Sequence, residues 1–313
     1  MQTYLGFDFG GTKLLVGEVD ESGAVLRQKR YETGCKTQAE AVKVLLAAAK
    51  DYKETAGFVG TPCAAGVGIV GIVDHANDEW VAISHDIVGP PILLANALSA
   101  VLQIPCAIDN DVRSTVTAEL LLGMGRKTQD FIYLNVGTGL AAGFVVNGHI
   151  LRGGSVNAGE IGHMSVDIND DTPCICGRRG CVENVVSGIG FTQQAQKYGL
   201  TELLTQPGGR ANVKALFDRA FAGEEPCAHI VKYGAKALAA VILNLVRTTD
   251  PEAVVYGGGI LSDARFLQKV TENLVPSVMR GVRFGLTPSA FDTQHAGLIG
   301  AASLGMQLKK EEK

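Results

Sequence analysis

Three cysteines and a histidine lie close together near the middle of the chain. Cys174, Cys176 and Cys181 follow the spacing C-x-C-x4-C, and His163 lies upstream of them. Three thiolates and one imidazole suit a tetrahedral structural Zn²⁺ ion, whereas the C-x-x-C spacing of a redox pair is absent. The sequence therefore predicts a zinc-binding loop over residues 163–181, and a coincidental cluster of thiols is the alternative.

Two glutamates flank this cluster. Glu160 precedes His163, and Glu183 follows Cys181. A metal-fixed loop can aim carboxylates at the hydroxyl groups of a polyol, and an imidazole that binds zinc through one nitrogen can hydrogen-bond a substrate through the other. We therefore expect Glu160, His163 and Glu183 to contact a substrate, unless the two glutamates are only solvated surface charges.

A glycine-rich turn, "DFGGTK", follows the first predicted strand. Its Gly10 and Gly11 would let the backbone approach a polyphosphate, and Thr12 could donate a hydroxyl hydrogen bond. Asp8, at the end of the strand, could hold a hydrated Mg²⁺ ion. Lys13 could reach the phosphates or be a surface charge.

Two further glycine clusters resemble this turn. The first, "NVGTG" in a second hairpin, comprises Gly137, Thr138 and Gly139. The second, "VVYGGG" between a predicted strand and a predicted helix, could hold an adenosine and comprises Gly257, Gly258 and Gly259. Each cluster alone could be an ordinary turn or a packing contact, but the repetition favours phosphate binding. None has the spacing of a P-loop or of a GxGxxG dinucleotide motif.

An Asn–Asp pair stands where a strand meets a helix in "PCAIDNDVRST". The amide of Asn110 could bind a hydroxyl group, and the carboxylate of Asp111 could accept its proton as the oxygen attacks phosphorus. The alternative is a helix N-cap, for which Asn and Asp are preferred residues. Both roles can coexist.

Short apolar strands alternate with amphipathic helices, which indicates an α/β fold. A β-meander opens the chain, a helix follows Thr37 as N-cap, and another helix runs from Asp111 to a glycine stop. Residues 130–151 repeat the plan of the opening hairpins. We therefore predict two like-folded domains facing each other across a cleft: residues 1–112, completed by a helix from about 296–313, and residues 113–295.

Composition excludes several classes of function. The 313 residues carry 28 basic and 32 acidic side chains, a net charge of −4, without a long basic run. Nucleic acid is therefore not the expected partner. The start, "MQTYLGFDFG", lacks the features of a signal peptide, and no apolar stretch approaches the roughly 18 residues of a membrane span. The other cysteines are scattered, as reduced thiols would be. We expect a soluble, cytoplasmic protein without a membrane partner.

Taken together, these motifs resemble the ROK family of bacterial sugar kinases and sugar-responsive repressors. The resemblance rests on "DFGGTK", "IDND", "VGTG", "AGEIGHM" followed by "CICGRRGCVE", and "VVYGGG". It implies two ribonuclease H-like domains of the actin-like ATPase type and a homodimer. It also implies ATP and Mg²⁺ as cofactors, with transfer of the γ-phosphoryl group to a sugar hydroxyl, on C6 of a hexose.

The resemblance also assigns roles to residues. Asp111 would be the catalytic base, and the nucleotide would be bound by the three glycine clusters with Asp8 and Lys13. The sugar would be held by Gly71, Asn110, Asp111, Glu160, His163 and Glu183. Zinc would be bound by His163, Cys174, Cys176 and Cys181.

Several residues depart from the family pattern. Val70 stands where many family kinases have proline, Asp86 lies near the expected sugar-binding asparagine, and Ala141 and Ala142 replace common glycines. The sugar is therefore open among glucose, fructose, allose, mannose and an amino sugar. A non-catalytic sugar sensor related to the repressors is the other class. The position of Asp8 within the first ten residues leaves no room for an N-terminal helix-turn-helix, and the paired turns with Asp111 favour an enzyme.

Overall fold

The computed structural model describes residues 1–11, 13–35, 37–75, 77–84 and 87–311, so that Thr12 and Asp86 lie outside the described residues. The strands are β1 Gln2–Phe9, β2 Lys13–Asp20, β3 Val25–Glu32, β4 Thr61–Ile69, β5 Ile72–Asp74, β6 Glu79–Ser84, β7 Ile87–Ile92, β8 Cys106–Asn110, β9 Phe131–Val136, β10 Leu140–Val146, β11 His149–Ile150, β12 Ala253–Gly257 and β13 Leu286–Pro288. The α-helices are α1 Gln38–Asp51, α2 Leu94–Leu102, α3 Asp111–Leu122, α4 Glu183–Val186, α5 Gly188–Lys197, α6 Val213–Phe221, α7 Cys227–Thr249, α8 Ala264–Glu272, α9 Pro276–Met279 and α10 Ala296–Glu311.

The chain divides into two compact units. Unit 1 comprises residues 1–129, 147–158 and 289–313, and unit 2 comprises residues 130–146 and 159–288. Residues 113–122 of α3, expected in the second domain, lie in unit 1, where α3 packs against α10 and β4. The C-terminal segment of unit 1 begins at residue 289 rather than at about 296.

The main sheet of unit 1 has the order β3-β2-β1-β4-β8. β1 pairs antiparallel with β2 and parallel with β4, and β4 pairs parallel with β8. Because side chains alternate along a strand, Leu5, Phe7 and Phe9 of β1 pack with α1 and α2, whereas Tyr4 packs with α10 on the opposite face. The central strand is therefore covered on both faces, which explains why large apolar side chains point to both of them.

Helix α10 approaches this sheet at van der Waals distance from the backbone. A Cβ atom at Gly66 of β4 would lie 2.0 Å from the carbonyl oxygen of Ala301, and one at Gly6 of β1 would lie 2.4 Å from that of Leu298. On the other side of α10, a Cβ at Gly300 would lie 2.8 Å from the amide nitrogen of Thr115 in α3. At these three glycines the backbone of α10 therefore lies directly against the sheet on one side and against α3 on the other.

Unit 2 is built on strands in the order β10-β9-β12-β13. β9 and β10 form an antiparallel hairpin, and β12 pairs parallel with both β9 and β13. Helix α7 supplies much of the core of this unit, together with Phe191, Phe217 and Phe266, which pack as a cluster of rings.

Helix α7 contradicts the expectation that no apolar stretch approaches the length of a membrane span. Its residues, Cys227–Thr249, are long and apolar enough to span a membrane, with a mean hydropathy of 1.3 over 18 residues. In the fold, 61% of that window is buried. The apolar residues of α7 therefore serve as the core of unit 2.

Local sequence signals predicted several elements correctly. Thr37 caps α1 in a capping box with Glu40, the β-meander comprises β1 to β3, and α3 ends at Gly123. The apolar run over residues 64–74 is divided between two strands at Val70 and Gly71. Its second part, β5, joins β6 and β7 in a separate antiparallel sheet.

Candidate functional site

The turn between β1 and β2 is closed by a hydrogen bond of 2.9 Å from the amide of Gly10 to the carbonyl oxygen of Lys13. A Cβ atom at Gly11 would meet no protein atom within 4 Å, and at Gly10 the nearest atom would be 3.5 Å away. Packing within the protein therefore does not require these two glycines. The open space in front of them is compatible with the close approach of a ligand.

Asp8 lies on the face of β1 that α10 covers. A Cβ atom at Gly297, in the first turn of α10, would lie 2.6 Å from the carboxyl carbon of Asp8. Burial raises the pKa of Asp8 above its ordinary value, and the charge of Lys13 acts in the opposite direction. This site suits a cation, because a bound cation would stabilise the charged form of the buried carboxylate.

The Asn–Asp pair lies at the junction of β8 and α3. Asn110 is the N-cap of α3: its Oδ1 accepts hydrogen bonds from the amides of Val112 and Arg113, at 2.9 and 3.4 Å. Its Nδ2 donates to the carbonyl oxygen of Gly71 at 3.2 Å. The capping alternative is therefore confirmed for Asn110, whose second amide hydrogen can still donate elsewhere.

The backbone conformation at position 71 requires glycine. Its φ is +106°, and a Cβ atom would lie 2.1 Å from the carbonyl oxygen of Ala82. Only glycine fits this position, and its carbonyl oxygen is thereby presented to Asn110. Asp111, the first residue of α3, accepts a hydrogen bond of 2.9 Å from the amide of Val112 and stands at the positive end of the helix dipole.

A buried ionic network, which the sequence analysis missed, holds this junction. Asp109 is fully buried and accepts hydrogen bonds from Nε of Arg113, at 3.0 Å, and from Nη1 of Arg152. Nη1 of Arg113 donates to the carbonyl oxygen of Val156 at 2.7 Å, and Oδ1 of Asp109 also accepts from the amide of Asn110 at 2.8 Å. We refer to Asp109, Arg113 and Arg152 as the arginine lock. The i,i+4 spacing of Asp109 and Arg113 was a usable signal, whereas nothing local pointed to Arg152.

The glycines of the second hairpin serve two different purposes. Gly137 has open space around it, since the nearest atom to a Cβ would be 4.0 Å away. At Gly139 a Cβ would lie 2.7 Å from Oε2 of Glu183, which accepts a hydrogen bond of 2.9 Å from the amide of Leu140. Glu183 is therefore fixed to the hairpin and is not a freely solvated charge. Thr138 accepts, through its carbonyl oxygen, the amide of Ile189 at 3.0 Å.

The third glycine cluster is tightly packed over most of its length. A Cβ at Gly257 would lie 2.3 Å from the hydroxyl oxygen of Tyr133, and one at Gly258, where φ is +87°, would lie 2.3 Å from the carbonyl oxygen of Val136. Gly259 has open space. Packing explains two of the three glycines, and α8 begins only at Ala264, after an intervening turn.

The predicted zinc ligands come together in unit 2. The ligand atoms of His163, Cys174, Cys176 and Cys181 all lie within 4.8 Å of one another. Cys174 Sγ is 3.5 Å from His163 Nδ1, and Cys176 Sγ is 3.5 Å from Cys181 Sγ. These spacings fit tetrahedral coordination by three sulfurs and one nitrogen. Burial raises the pKa of Cys181 to about 12, so a bound cation would be needed to keep this thiol deprotonated.

His163 presents its two ring nitrogens to different partners. Nδ1 faces the sulfur of Cys174, whereas Nε2 lies 3.9 Å from Oε2 of Glu160. The side chain of Glu160 is 49% exposed and that of His163 is 18% exposed. One nitrogen is therefore placed to bind a metal, while the other lies beside an accessible carboxylate.

Backbone and side-chain hydrogen bonds hold the loop around these ligands. Arg178 donates to the carbonyl oxygen of His163 at 3.0 Å, and the amide of Cys174 donates to the carbonyl oxygen of Arg178 at 2.9 Å. Asn184, in α4, donates to the carbonyl oxygen of Pro173 at 3.0 Å. Since Glu183 precedes Asn184 in the same helix, the loop and the glutamate are connected within one local structure.

The chain resembles sugar-kinase proteins over nearly its whole length. The family model described as "ROK family" matches residues 4–307. An N-acetyl-D-glucosamine kinase of Yersinia pseudotuberculosis serotype O:3 (strain YPIII) is 30% identical over an alignment of 325 residues including gaps. The alignment covers 98% of this chain and all of the relative.

Two solved structures have a similar fold. The ROK hexokinase from Thermus thermophilus has a TM-score of 0.81 and 25% identity, and the match covers 99% of each chain. A ROK family glucokinase from Streptomyces griseus, determined in complex with glucose and AMPPNP, has a TM-score of 0.75 and 25% identity, and the match covers 97% of this chain and 99% of that one. The α/β architecture predicted from the sequence is therefore confirmed.

Proposed function

The chain belongs to the ROK family, and we propose that it is a kinase that transfers the γ-phosphoryl group of ATP to a hydroxyl group of a hexose, at C6. The observation that carries this proposal is the junction of β8 and α3. There a carboxylate, Asp111, stands beside a capping amide, Asn110, on a backbone that is fixed by a buried ionic network.

We assign Asp111 the role of general base. Phosphoryl transfer leaves little covalent chemistry to the protein, so catalysis depends on orienting the attacking hydroxyl group and on accepting its proton. In this proposal Asn110 orients the hydroxyl group, Asp111 accepts the proton, and Gly71 holds the amide of Asn110 through its carbonyl oxygen.

The nucleotide is assigned to the glycine turns. The open glycines Gly10, Gly11 and Gly137 would admit phosphate oxygens to the backbone. Gly259 is assigned to the nucleoside, together with the tightly packed Gly257 and Gly258 that precede it. Lys13 is assigned to the phosphates. Thr12, Thr138 and Gly139 are assigned to the phosphates as well. When bound beside Asp8, Mg²⁺ would neutralise phosphate charge.

Sugar recognition is assigned to Glu160, His163 and Glu183, together with Asn110. Carboxylates and an imidazole offer several acceptors and one donor to the hydroxyl groups of a sugar. Zinc, bound by His163, Cys174, Cys176 and Cys181, would supply structure only, because four protein ligands leave no open position for a reacting water. The fixed contact of Glu183 with the amide of Leu140 preorganises one of the acceptors.

An N-acetylated amino sugar is the second candidate substrate, because one relative at 30% identity is an N-acetyl-D-glucosamine kinase. We also propose a cytoplasmic homodimer, as the family resemblance implies.

The deciding experiment measures release of ADP in a coupled assay with ATP and purified protein. The panel comprises glucose, mannose, allose, fructose, N-acetylglucosamine and N-acetylmannosamine. Phosphorus–proton correlation spectra of the product identify the phosphorylated carbon. Saturable ADP release with one of these sugars supports the proposal, and phosphorus coupled to protons on a carbon other than C6 overturns its finer part. Sugar binding by calorimetry without ADP release from any member of the panel would instead identify a non-catalytic sugar sensor.

A further inference from the structure

Unit 1 contains a cavity of about 420 Å³ at the end of its sheet that is remote from Asp8. Its apolar lining includes Tyr4 of β1, Leu121 of α3 and Met306 of α10. A volume of this size falls within the range of small-molecule sites. None of the residues assigned to catalysis, sugar or nucleotide lines it.

Cationic side chains from two segments surround the cavity. They are Arg126, which follows α3, and Lys309 and Lys310 in the last turns of α10, whereas Glu21 is the one carboxylate among the described residues that line it. Within the described part of the chain, Arg126 and Lys310 have no ion-pair partner. Basic residues in the last turn of a helix complement its dipole, but this does not account for Arg126, which lies outside α10. The cavity therefore combines an apolar floor with excess positive charge.

We propose that this cavity binds an organic anion, namely a phosphate or carboxylate attached to an apolar group, and that its occupancy alters nucleotide use. The apolar group would pack against Tyr4, Leu121 and Met306, and the anionic group would pair with Arg126 and Lys310. Both cations are exposed, so the anionic group would lie at the mouth of the cavity while the apolar group enters it.

The structural basis for the coupling is α10, which extends from the cavity to Asp8. Met306 and Lys309 lie at one end of this helix and Gly297 at the other, about 14–18 Å away at 1.5 Å per residue. Alternation along β1 places Tyr4, Gly6 and Asp8 on one face, and this face is the one α10 covers. β1 and α10 thus line the cavity at one end and meet at Asp8 at the other.

The contacts along α10 leave little room for independent adjustment. Gly6, Gly66 and Gly300 bring backbone atoms of α10, the sheet and α3 into direct contact. A shift of the helix must therefore displace its neighbours, because at these glycines its backbone lies directly against theirs. A ligand that repositions the end of α10 at Met306 is expected to change the position of Gly297 against the Asp8 carboxylate.

Binding can be tested without any assay of activity. The protein is labelled with ¹³C-methyl methionine and titrated with 1-naphthyl phosphate. Met306 lines the cavity, whereas Met164 and Met279 lie in unit 2 and serve as internal controls. We expect a saturable shift of the Met306 methyl signal alone among these three. The uncharged analogue 1-naphthalenemethanol and inorganic phosphate should each bind at least about tenfold more weakly. The first lacks the anionic group, and the second lacks the apolar group.

Charge variants identify the site of binding. The double variant Arg126→Gln/Lys310→Gln should weaken the shift of Met306 about tenfold or more. The matched control Lys232→Gln/Lys236→Gln removes two exposed charges from α7 in unit 2 and should leave it unchanged. An unmoved Met306 signal at millimolar ligand, or equal binding by both double variants, overturns the proposed site.

The coupling rests on the proposed kinase function and is tested separately. 1-Naphthyl phosphate should change the apparent KM for ATP at least about threefold in the parent protein and have no effect in Arg126→Gln/Lys310→Gln. An effect that persists in this variant would arise at the nucleotide site and would overturn the coupling, as would binding at Met306 with an unchanged KM. If no sugar is phosphorylated, the proposed function fails, while the methionine spectra still decide whether the cavity binds the anion.

Discussion

The junction of β8 and α3 in unit 1 and the cysteine loop in unit 2 both position polar side chains, but by different physical means. At the junction, the arginine lock joins three segments of chain through one buried carboxylate. In the loop, a Cys₃His cluster gathers residues that are close in sequence. The first arrangement relies on charge pairing inside the fold, and the second on ligands suited to an ion from solution.

This difference has consequences for how each region fails. A buried ion pair is costly to break, because a charge without a partner is left in a low-dielectric environment. A metal loop instead loses its order when the ion leaves, while the surrounding core can persist. Damage to the arginine lock should therefore reduce global stability, and damage to the loop should reduce function with a smaller loss of stability.

The largest effect on turnover is expected when the lock is left intact and the base alone is removed. Asp111→Asn should lower kcat by about 10² to 10⁴-fold, because a general base contributes about that factor. Sugar binding by calorimetry should remain detectable, since Asn110 and its contact with Gly71 are unchanged. A variant with near-parental kcat would show that Asp111 is not the general base and serves only at the start of α3.

Breaking the arginine lock should produce the largest loss of stability. Arg113→Met removes a guanidinium group that is 8% exposed from the fully buried Asp109. We expect a loss of about 3–5 kcal/mol in the free energy of unfolding, measured by urea denaturation, together with a lower kcat. The same substitution at the exposed Arg210 should change stability by less than about 0.5 kcal/mol. Equal stability of the two variants would show that the network does not hold the junction.

Removing a cysteine ligand should separate function from stability. Purified protein should contain about one zinc per chain, and Cys176→Ser should lose it. Sugar KM and kcat should worsen by up to about 10²-fold, because misplacement of Glu183 and His163 by about 1 Å is sufficient for such a loss. ATP binding by calorimetry should change little.

Cys35→Ser, at a scattered thiol outside the cluster, is the control for this experiment. Stoichiometric zinc whose loss left the sugar kinetics unchanged would contradict the proposed link between metal and substrate. Protein purified without chelator that contained no zinc would contradict the metal site itself.

The smallest expected effect on stability concerns Asp8, whose carboxyl group lies outside the arginine lock. Burial raises its pKa above the ordinary value of 3.8, so its charged form destabilises the folded state at neutral pH. Asp8→Asn should therefore raise the melting temperature at pH 7 without nucleotide, while activity is lost. The gain should shrink as the pH falls towards 4, because the folded protein then binds the proton and the cost disappears.

Asp20→Asn offers a control of opposite sign. Hydrogen bonds from Ser22 lower the pKa of Asp20, so removing its charge should destabilise the protein at pH 7. A melting temperature that fell in both variants would contradict the interpretation of Asp8 as a carboxylate held at a cost for function.

Local signals in the sequence predicted what short-range physics determines. Thr37 caps its helix, Gly123 ends α3, and the four zinc-ligand candidates cluster, because each depends on residues near in sequence. The arginine lock could not be predicted, because Arg152 reaches Asp109 only through the tertiary fold. For the same reason, spacing alone did not distinguish the open Gly137 from Gly139, which makes room for the distant Glu183.

The interleaving of the two units along the chain has a consequence for synthesis. Unit 2 is nearly continuous, whereas the sheet of unit 1 receives α10 only after residues 159–288 have been made. At about 5–20 residues per second, the roughly 180 residues between α3 and the end of α10 take about 10–40 s to translate. During this interval the face of β1 that carries Tyr4, Gly6 and Asp8 lacks its helix. A nascent chain that is stalled before Ser289 should therefore expose this face to chaperones, and adding α10 as a separate peptide should release it.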